Sequence, residues 1–299
     1  MNIAKNLKYF FILPALLSIL SIAALFMWGL KPGIDLAGGS LLEVNYPDGR
    51  PTQAEVQEVV EPLGLGHIVV QPTGSNGHIL RLRDITPKEK ESLVQVLGTD
   101  RTVTEEEFTS IGPSIGAELM QKGWIAIALV SLLTVLFIAF AFRHASTPSS
   151  WKYGVVAIVT LLHDILIPAG LFALLGHLYG AEVDALFIVA LLTVLGISIN
   201  DTIVIFDRIR ENLKLNEQHH KHEDFESVVG RSISQTISRS INTSITVIIV
   251  LLSLYFLGPA ATKDFALVLT VGMIAGTYSS IFLASPLLVV WEKFSARKK

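Results

Sequence analysis

Apolar residues gather into six runs, at 9–30, 123–142, 153–176, 184–206, 235–257 and 265–290. An α-helix needs roughly 17–25 apolar residues to cross a hydrocarbon core of about 30 Å, so the pattern predicts six transmembrane helices. Between the first two runs the period changes. Residues 40–46 alternate as a strand and stop at the turn Pro47-Asp48-Gly49. Thr52, with Glu55 three residues on, has the form of a capping box opening a helix through Pro62. Residues 67–71 and 78–83 pattern as a strand pair across 73–77. Thr86-Pro87-Lys88-Glu89 supplies an N-cap and a first-turn proline for a second helix ending near Leu97, and 101–108 is a last strand. The order β-α-β-β-α-β predicts a small α+β domain of the ferredoxin-like, split βαβ kind. The expected fold is therefore an all-α membrane bundle of six helices with a ferredoxin-like domain between helices 1 and 2. Its parts are an N-terminal transmembrane helix at 1–30, a head at 31–122, and a five-helix transmembrane domain at 123–299 with a loop at 207–234.

Composition agrees with the hydropathy pattern. The 299 residues are 51% hydrophobic and 16% charged, and the mean hydropathy is +0.55. This is too apolar for an ordinary soluble enzyme. A net charge of -3 argues against a nucleic-acid partner, and the absence of cysteine excludes disulfides, thiolate catalysis and Cys-ligated zinc. Lys5 and Lys8 before the first run imitate a signal peptide. However, a run of about 22 residues can span, and Lys31-Pro32-Gly33 is no Ala-x-Ala cleavage site, so the helix is expected to be retained. Arg143, Lys152, Arg208, Arg210, Lys214, Arg231 and Lys293 fall on the same side as Lys5 and Lys8, whereas 177–183 has no Lys or Arg and 258–264 only Lys263. Positive-inside reasoning then places both termini in the cytoplasm and the head outside it, in a multi-pass membrane protein.

Within the spans, three polar features stand out. Asp201 lies in Asn200-Asp201-Thr202, with four apolar residues between this triplet and the charged exit that starts at Asp207. That is about 8 Å in from the end of the run at 1.5 Å per residue. A carboxylate at such depth costs several kcal/mol and is normally retained for function; the competing reading is a snorkelling or capping side chain. The fifth run has a polar lead-in that brings Arg239 to a similar depth, with Gln235, Asn242, Thr243 and Thr246 on the same helical stripe. Such a stripe is expected to face the bundle or water, and an Asp201–Arg239 pair is the preferred arrangement, with headgroup anchoring of Arg239 as the alternative. His163-Asp164 sits near the middle of the third run; adjacent residues are not expected to share a helix face, and a structural hydrogen bond is the competing role. A carboxylate whose proton affinity depends on burial and on a nearby arginine can load and release a proton. The candidate ion pathway is thus Asp201, Arg239, Asn200, Thr202, Thr243, Thr246, His163 and Asp164.

Two glycine-rich joints flank the head. Gly38 and Gly39 in the first, and Gly112 and Pro113 in the second, are candidate hinge residues, or simply turns at the membrane surface. Gly272-Met273-Ile274-Ala275-Gly276 is a close-packing face. His219-His220-Lys221-His222 is a histidine cluster in a charged stretch, expected to be solvated surface rather than a metal site. No Walker loop, GxSxG or HExxH is present, so neither an enzymatic activity nor a cofactor is expected.

The residues 196–212, GISINDTIVIFDRIREN, resemble a signature of the SecD/SecF family of bacterial protein translocase subunits, specifically its SecF branch. Leu161-Leu162-His163-Asp164, Ser238-Arg239-Ser240 and 111–116, IGPSIG, fit the same family. The joint at 33–39 is similar to its Gly-Ile-Asp-Phe-x-Gly-Gly motif, with Leu36 where Phe is common. The resemblance implies a half of the resistance-nodulation-division class that pairs with SecD and joins the SecYEG channel. Its other implied partners are a YidC-type insertase, translocating preproteins and membrane lipids. It also implies that the positions of Asp201 and Arg239 serve the proton path and that a second carboxylate comes from SecD. Protein export driven by a proton or sodium gradient is the expected function. The alternatives are a small-molecule or lipid exporter half of the same superfamily, and a non-conducting assembly subunit.

Overall fold

A computed structural model describes residues 3–143, 148–220, 223–259 and 262–296. The chain divides into two compact units: Pro32–Trp124 with Glu182–Ala185, and Met1–Lys31, Ile125–Ala181 and Leu186–Lys299.

The smaller unit begins with the short helix α2 (Ile34–Ala37) and continues as β1 (Gly39–Asn45), α3 (Gln53–Val60), β2 (Val69–Thr73), β3 (Gly77–Leu82), α4 (Pro87–Leu97) and β4 (Thr104–Ile111). The strands form one antiparallel sheet in the order β2-β3-β1-β4. Both helices start where local chemistry dictates. Thr52 accepts from the Glu55 amide while Glu55 accepts from the Thr52 amide, and Thr86 and Glu89 repeat the arrangement with Pro87 at the first position. The alternating residues Leu42 and Val44 of β1 and Leu80 and Leu82 of β3 point to one face, where they bury against Val56, Val60, Leu93 and Leu97 of the two helices. Two strand ends differ from expectation. β2 starts at Val69 and runs through Pro72, tolerated because β2 is an edge strand with one unpaired side. β4 starts at Thr104 and extends to Ile111, because Ile111 pairs with Gly39 at the first residue of β1. Residues 182–185 belong to this unit through Gly33 N–H donating to Val183 O (2.8 Å) and an Arg81–Glu182 ion pair (3.2 Å).

The joints at the two ends of this unit are packed on each other. Gly38 has φ +78°, and a Cβ there would stand 2.5 Å from Pro113 Cα; a Cβ on Gly116 would stand 2.6 Å from Gly38 N. They form one crossing rather than two separate turns. Gly39 also has positive φ, and Gly112 is uncrowded.

The larger unit is helical: α1 (Ile3–Trp28), α6 (Ser150–Tyr179), α7 (Ala185–Gln218), α8 (Phe225–Leu257), α9 (Lys263–Ser279) and α10 (Ser285–Ala296), with α5 (Pro113–Ala141) entering from the smaller unit. Among the described residues, six helices are long and apolar enough to cross a membrane. The charged stretch 207–234, expected as a loop, is largely helix. Asp207–Arg210 (2.6 Å) and Arg208–Glu211 (2.8 Å) pairs continue α7, and Asp224 caps α8 by accepting from the Ser227 amide. His219 and His220 follow α7, while Lys221 and His222 lie outside the described residues. The sixth span is interrupted by a π turn at Ser280–Ala284.

Small residues bring the helices close. A Cβ on Gly170 of α6 would fall 2.4 Å from Ser21 Cα of α1, one on Gly272 of α9 2.2 Å from Val194 Cγ2 of α7, and one on Gly276 2.9 Å from Ser198 Cβ. The glycine motif of α9 is therefore an intramolecular seam against α7.

Candidate functional site

The α7–α9 seam and the neighbouring α8 enclose a polar cavity of about 100 Å³, large enough for water. α7 contributes Ser198, Asn200 and Asp201; α8 contributes Arg239, Thr243 and Ser244; α9 contributes Thr277 beside the two seam glycines. Ser198 and Asp201 share a face because they are three residues apart on one helix. Asp201 Oδ2 and Ser240 Oγ on α8 are both buried without a hydrogen bond of full geometry, and Ser240 is the polar neighbour that acts on the Asp201 carboxylate. Arg239 acts on the Asp201 carboxylate electrostatically, but the two make no ion pair among the described contacts. Opposite them, Ser244 Oγ and Thr277 Oγ1 are 2.6 Å apart and tie α8 to α9.

A second polar cluster lies behind Ser198. Ser198 Oγ donates to Asp164 Oδ2 of α6. Asp164 Oδ1 and His163 Nδ1 are 2.9 Å apart, and His163 Nε2 and Tyr278 Oη of α9 are 2.5 Å apart. Asp164 is fully buried and His163 nearly so. This arrangement can hold a carboxylate in an apolar interior, because its oxygens receive hydrogen bonds.

Residues 90–294 match the family described as "Protein export membrane protein SecD/SecF, C-terminal". The chain belongs to the SecD/SecF family. It is 43% identical over 295 residues to protein translocase subunit SecF of Thermobaculum terrenum, covering 95% of this chain and 91% of that one. It is 32% identical over 293 residues to protein translocase subunit SecDF of Bacillus subtilis, covering 97% of this chain and 38% of that one. Among solved structures, it superposes on SecDF of Thermus thermophilus with a TM-score of 0.84 at 32% identity, covering 98% of this chain and 39% of that chain. The chain thus spans about two fifths of the SecDF proteins it matches, and nearly the whole of the SecF protein. These SecD/SecF relatives are named as translocase subunits, a transport role, and the six apolar helices agree with a multi-pass membrane protein.

Of the residues singled out in this SecD/SecF chain, Asp201, Arg239, Asn200 and Thr243 line one cavity. Three placements differ from expectation. The Asp201–Arg239 ion pair is replaced by a shared cavity. Thr202 turns away from it to Ser280 Oγ (2.8 Å), because it follows Asp201 by one residue and so faces α9 at the π turn. Thr246 is exposed beyond the cavity and returns its hydroxyl to Asn242 O (2.7 Å). His163 and Asp164 bond to each other, while Asp164 also reaches Ser198 of α7 and His163 reaches Tyr278 of α9. The polar stripe of α8, expected to face the bundle or water, leaves Gln235, Arg239, Asn242, Thr243 and Thr246 exposed. Ser198, Ser240, Ser244, Thr277 and Tyr278 were not singled out. A signal for Ser198 existed, since it precedes Asp201 by one turn.

Proposed function

We propose that the chain is an accessory subunit of the Sec protein-export machinery in a bacterial inner membrane, and that it couples preprotein translocation to a proton or sodium gradient. The observation that carries this reading is the buried Asp201 Oδ2, without a hydrogen bond of full geometry, at a water-sized cavity within apolar helices, with Arg239 on the opposite wall. Without compensation a carboxylate there is costly, so its value lies in changing charge or ligation as the cavity opens and closes. Asn200 and Thr243 supply polar groups along the way in. The hydroxyls of Thr202 and Thr246 do not line this route.

The family names support a SecD-type half as the partner, since the Bacillus and Thermus relatives called SecDF are longer single chains of which this one matches a part. The exposed polar stripe of α8 fits that reading: in a membrane it needs a polar cover, and a second half with its own carboxylate would supply one. SecYEG, a YidC-type insertase, emerging preproteins and lipids are the further contacts of such a subunit. The distribution of Lys and Arg supports cytoplasmic termini and an extracytoplasmic head. The strand order β2-β3-β1-β4 with two helices on one face supports reading the head as ferredoxin-like. Gly38, Gly39, Gly112 and Pro113 are the candidate hinge residues of such a subunit, with Gly38 and Pro113 in close contact.

The test is Asp201→Asn in inverted membrane vesicles containing the whole translocase. The variant should assemble normally and lose the stimulation of export by an ion gradient. Full gradient stimulation in Asp201→Asn would overturn the reading, and separate proton and sodium gradients identify the ion.

A further inference from the structure

Asp164 is the most deeply buried carboxylate of the membrane-spanning helices, and the proposed coupling step does not use it. Its surroundings are specific. Ser198 donates to Oδ2 from α7, His163 meets Oδ1 on the same helix, and Tyr278 of α9 fixes the far side of the imidazole. With His163 Nδ1–H donating to the carboxylate, Nε2 is left to accept from the Tyr278 hydroxyl, which selects one tautomer and one ring orientation. The ring of His163 also stands edge-on to that of Tyr278, with centroids 5.3 Å apart. Three helices are thereby tied to one carboxylate. The only one of these groups that also lines the Asp201 cavity is Ser198.

We infer that Asp164 is a second proton-holding site of this chain, exchanging protons with Asp201 through the Ser198 hydroxyl, with His163 and Tyr278 as its positioning residues. This rests on the proton-coupled reading of the Asp201 cavity and extends it. The step balances. Protonated Asp201 gives its proton to cavity water, and that water gives a proton to Ser198 Oγ. Ser198 passes its own hydroxyl proton to Asp164 Oδ2. Asp201 ends ionised and Asp164 ends as a neutral acid whose Oδ2–H now donates to Ser198 Oγ, while Oδ1 still accepts from His163. No charge is created, and one hydroxyl reverses its hydrogen bond. The ionised and neutral forms of Asp164 are each fully hydrogen-bonded in this setting, which is what a site that cycles between them in a low dielectric requires.

The charged and titratable groups around Asp164 are few. α6 contributes His163, α9 contributes Tyr278, and α7 contributes Asp201 one turn beyond Ser198, with Arg239 of α8 across the cavity. Residues 10–28 of α1 and 279–290 of the last span carry none. Among the described residues of this chain, the exchange therefore runs to Asp201.

The experiment compares wild type with Asp164→Asn, Ser198→Ala, Tyr278→Phe and Asp201→Asn in the intact complex, reconstituted in liposomes. It reads gradient-driven proton flux together with the infrared carboxylic-acid bands that appear on a downward pH jump. Two bands are expected in wild type, one lost in Asp164→Asn and the other in Asp201→Asn. Ser198→Ala and Tyr278→Phe should keep both bands but shift the Asp164 band. Ser198→Ala should also lower flux about tenfold or more, the kinetic equivalent of one hydrogen bond lost from the relay. A purely structural cluster would move neither the band position nor the pH profile. A single band, absent only in Asp201→Asn, would overturn the inference, as would wild-type flux in Ser198→Ala; both leave the coupling role of Asp201 standing. Full flux in Asp201→Asn would instead overturn the coupling role itself. Should Asp164→Asn fail to assemble, the Ser198→Ala flux and the Tyr278→Phe band shift still decide the question.

Discussion

Asp201 and Arg239 face the same cavity from consecutive helices without forming an ion pair, and Asp201 Oδ2 is left without a hydrogen bond of full geometry. A closed pair would have locked both charges, because an arginine fork on a carboxylate is held by charge-assisted bonds. An open gap leaves the separation adjustable, and the electrostatic interaction changes with it.

Arg239→Gln should therefore reduce gradient-stimulated export by about tenfold or more, the scale of one to two kcal/mol of lost interaction across a partly wet cavity. Arg239→Lys should retain part of the stimulation, since the charge persists but the planar fork does not. Export driven by the gradient at the wild-type rate in Arg239→Gln would contradict a tuning role. The comparison is made at equal complex abundance, so that a loss of assembly is not read as a loss of coupling.

The helix seams make a contrasting pair of stability predictions. A Cβ on Gly272 would meet the branched Val194 side chain at 2.2 Å, and a β-branched residue in a helix has little rotamer freedom with which to move away. Gly272→Ala should destabilise the helical unit by about 1–3 kcal/mol, and Val194→Ala in the same chain should recover most of it. Gly170 faces the backbone of α1, with Ser21 Cα at 2.4 Å, so trimming the Ser21 side chain cannot make room. Gly170→Ala should be the more damaging of the two and Ser21→Ala should not rescue it. Thermal unfolding in detergent checks both, and equal rescue at the two seams would show that the helices simply slide apart.

Features set by short-range chemistry were legible in the amino-acid sequence, and features set by helix rotation were not. Thr52/Glu55 and Thr86/Glu89 each fall within one helical turn, so both capping boxes were readable. The six spans follow from length and apolarity alone. The alignment of Asp164 with Ser198 crosses 34 residues, and depends on how α6 and α7 turn about their axes. The same rotation leaves Arg239 on the open side of α8 while still lining the cavity. The helical extensions through 207–218 and 225–234 were hidden because charge looks like a loop when its i,i+3 pairs are not counted. His163 and Asp164 leave the helix on diverging Cα–Cβ bonds and reach different helices, yet the two side chains are long enough to turn back and meet.

The crossing of the two joints predicts an unusually glycine-dependent position. Gly38 has φ +78° and ψ 155°, a region that side chains other than glycine avoid at a cost of about 1–3 kcal/mol. A Cβ would in addition stand 2.5 Å from Pro113 Cα. Gly38→Ala should loosen the edge pairing of Gly39 with Ile111, seen as faster amide hydrogen exchange in β1 and β4. Gly112→Ala, with no protein atom closer than 3.8 Å to its added Cβ, should leave exchange unchanged. Equal effects of the two substitutions would mean that the crossing does not hold the sheet ends.

Glu89 provides a pH test of the head that is independent of the membrane site. Its carboxylate is drawn down to about 2, first by the Arg83 hydrogen bond (2.5 Å) and then by the Thr86 amide and hydroxyl at the start of α4. The folded value lies below the ordinary 4.5, so the folded head binds fewer protons than the unfolded chain across this window. Its contribution to stability is complete above the unfolded value and is lost as pH falls from 4.5 towards about 2. The Arg83–Glu89 pair lies at the surface, with Glu89 about one-third exposed, so solvent and salt screen it, and the capping bonds should outlast it at high ionic strength. The measurement is amide protection in α4, corrected for intrinsic exchange, between pH 5 and pH 3. Wild type should lose protection over this range, and Glu89→Gln should begin lower and lose less, because a neutral amide still caps but does not titrate. Identical pH slopes in the two proteins would show that other carboxylates control the acid response of the head.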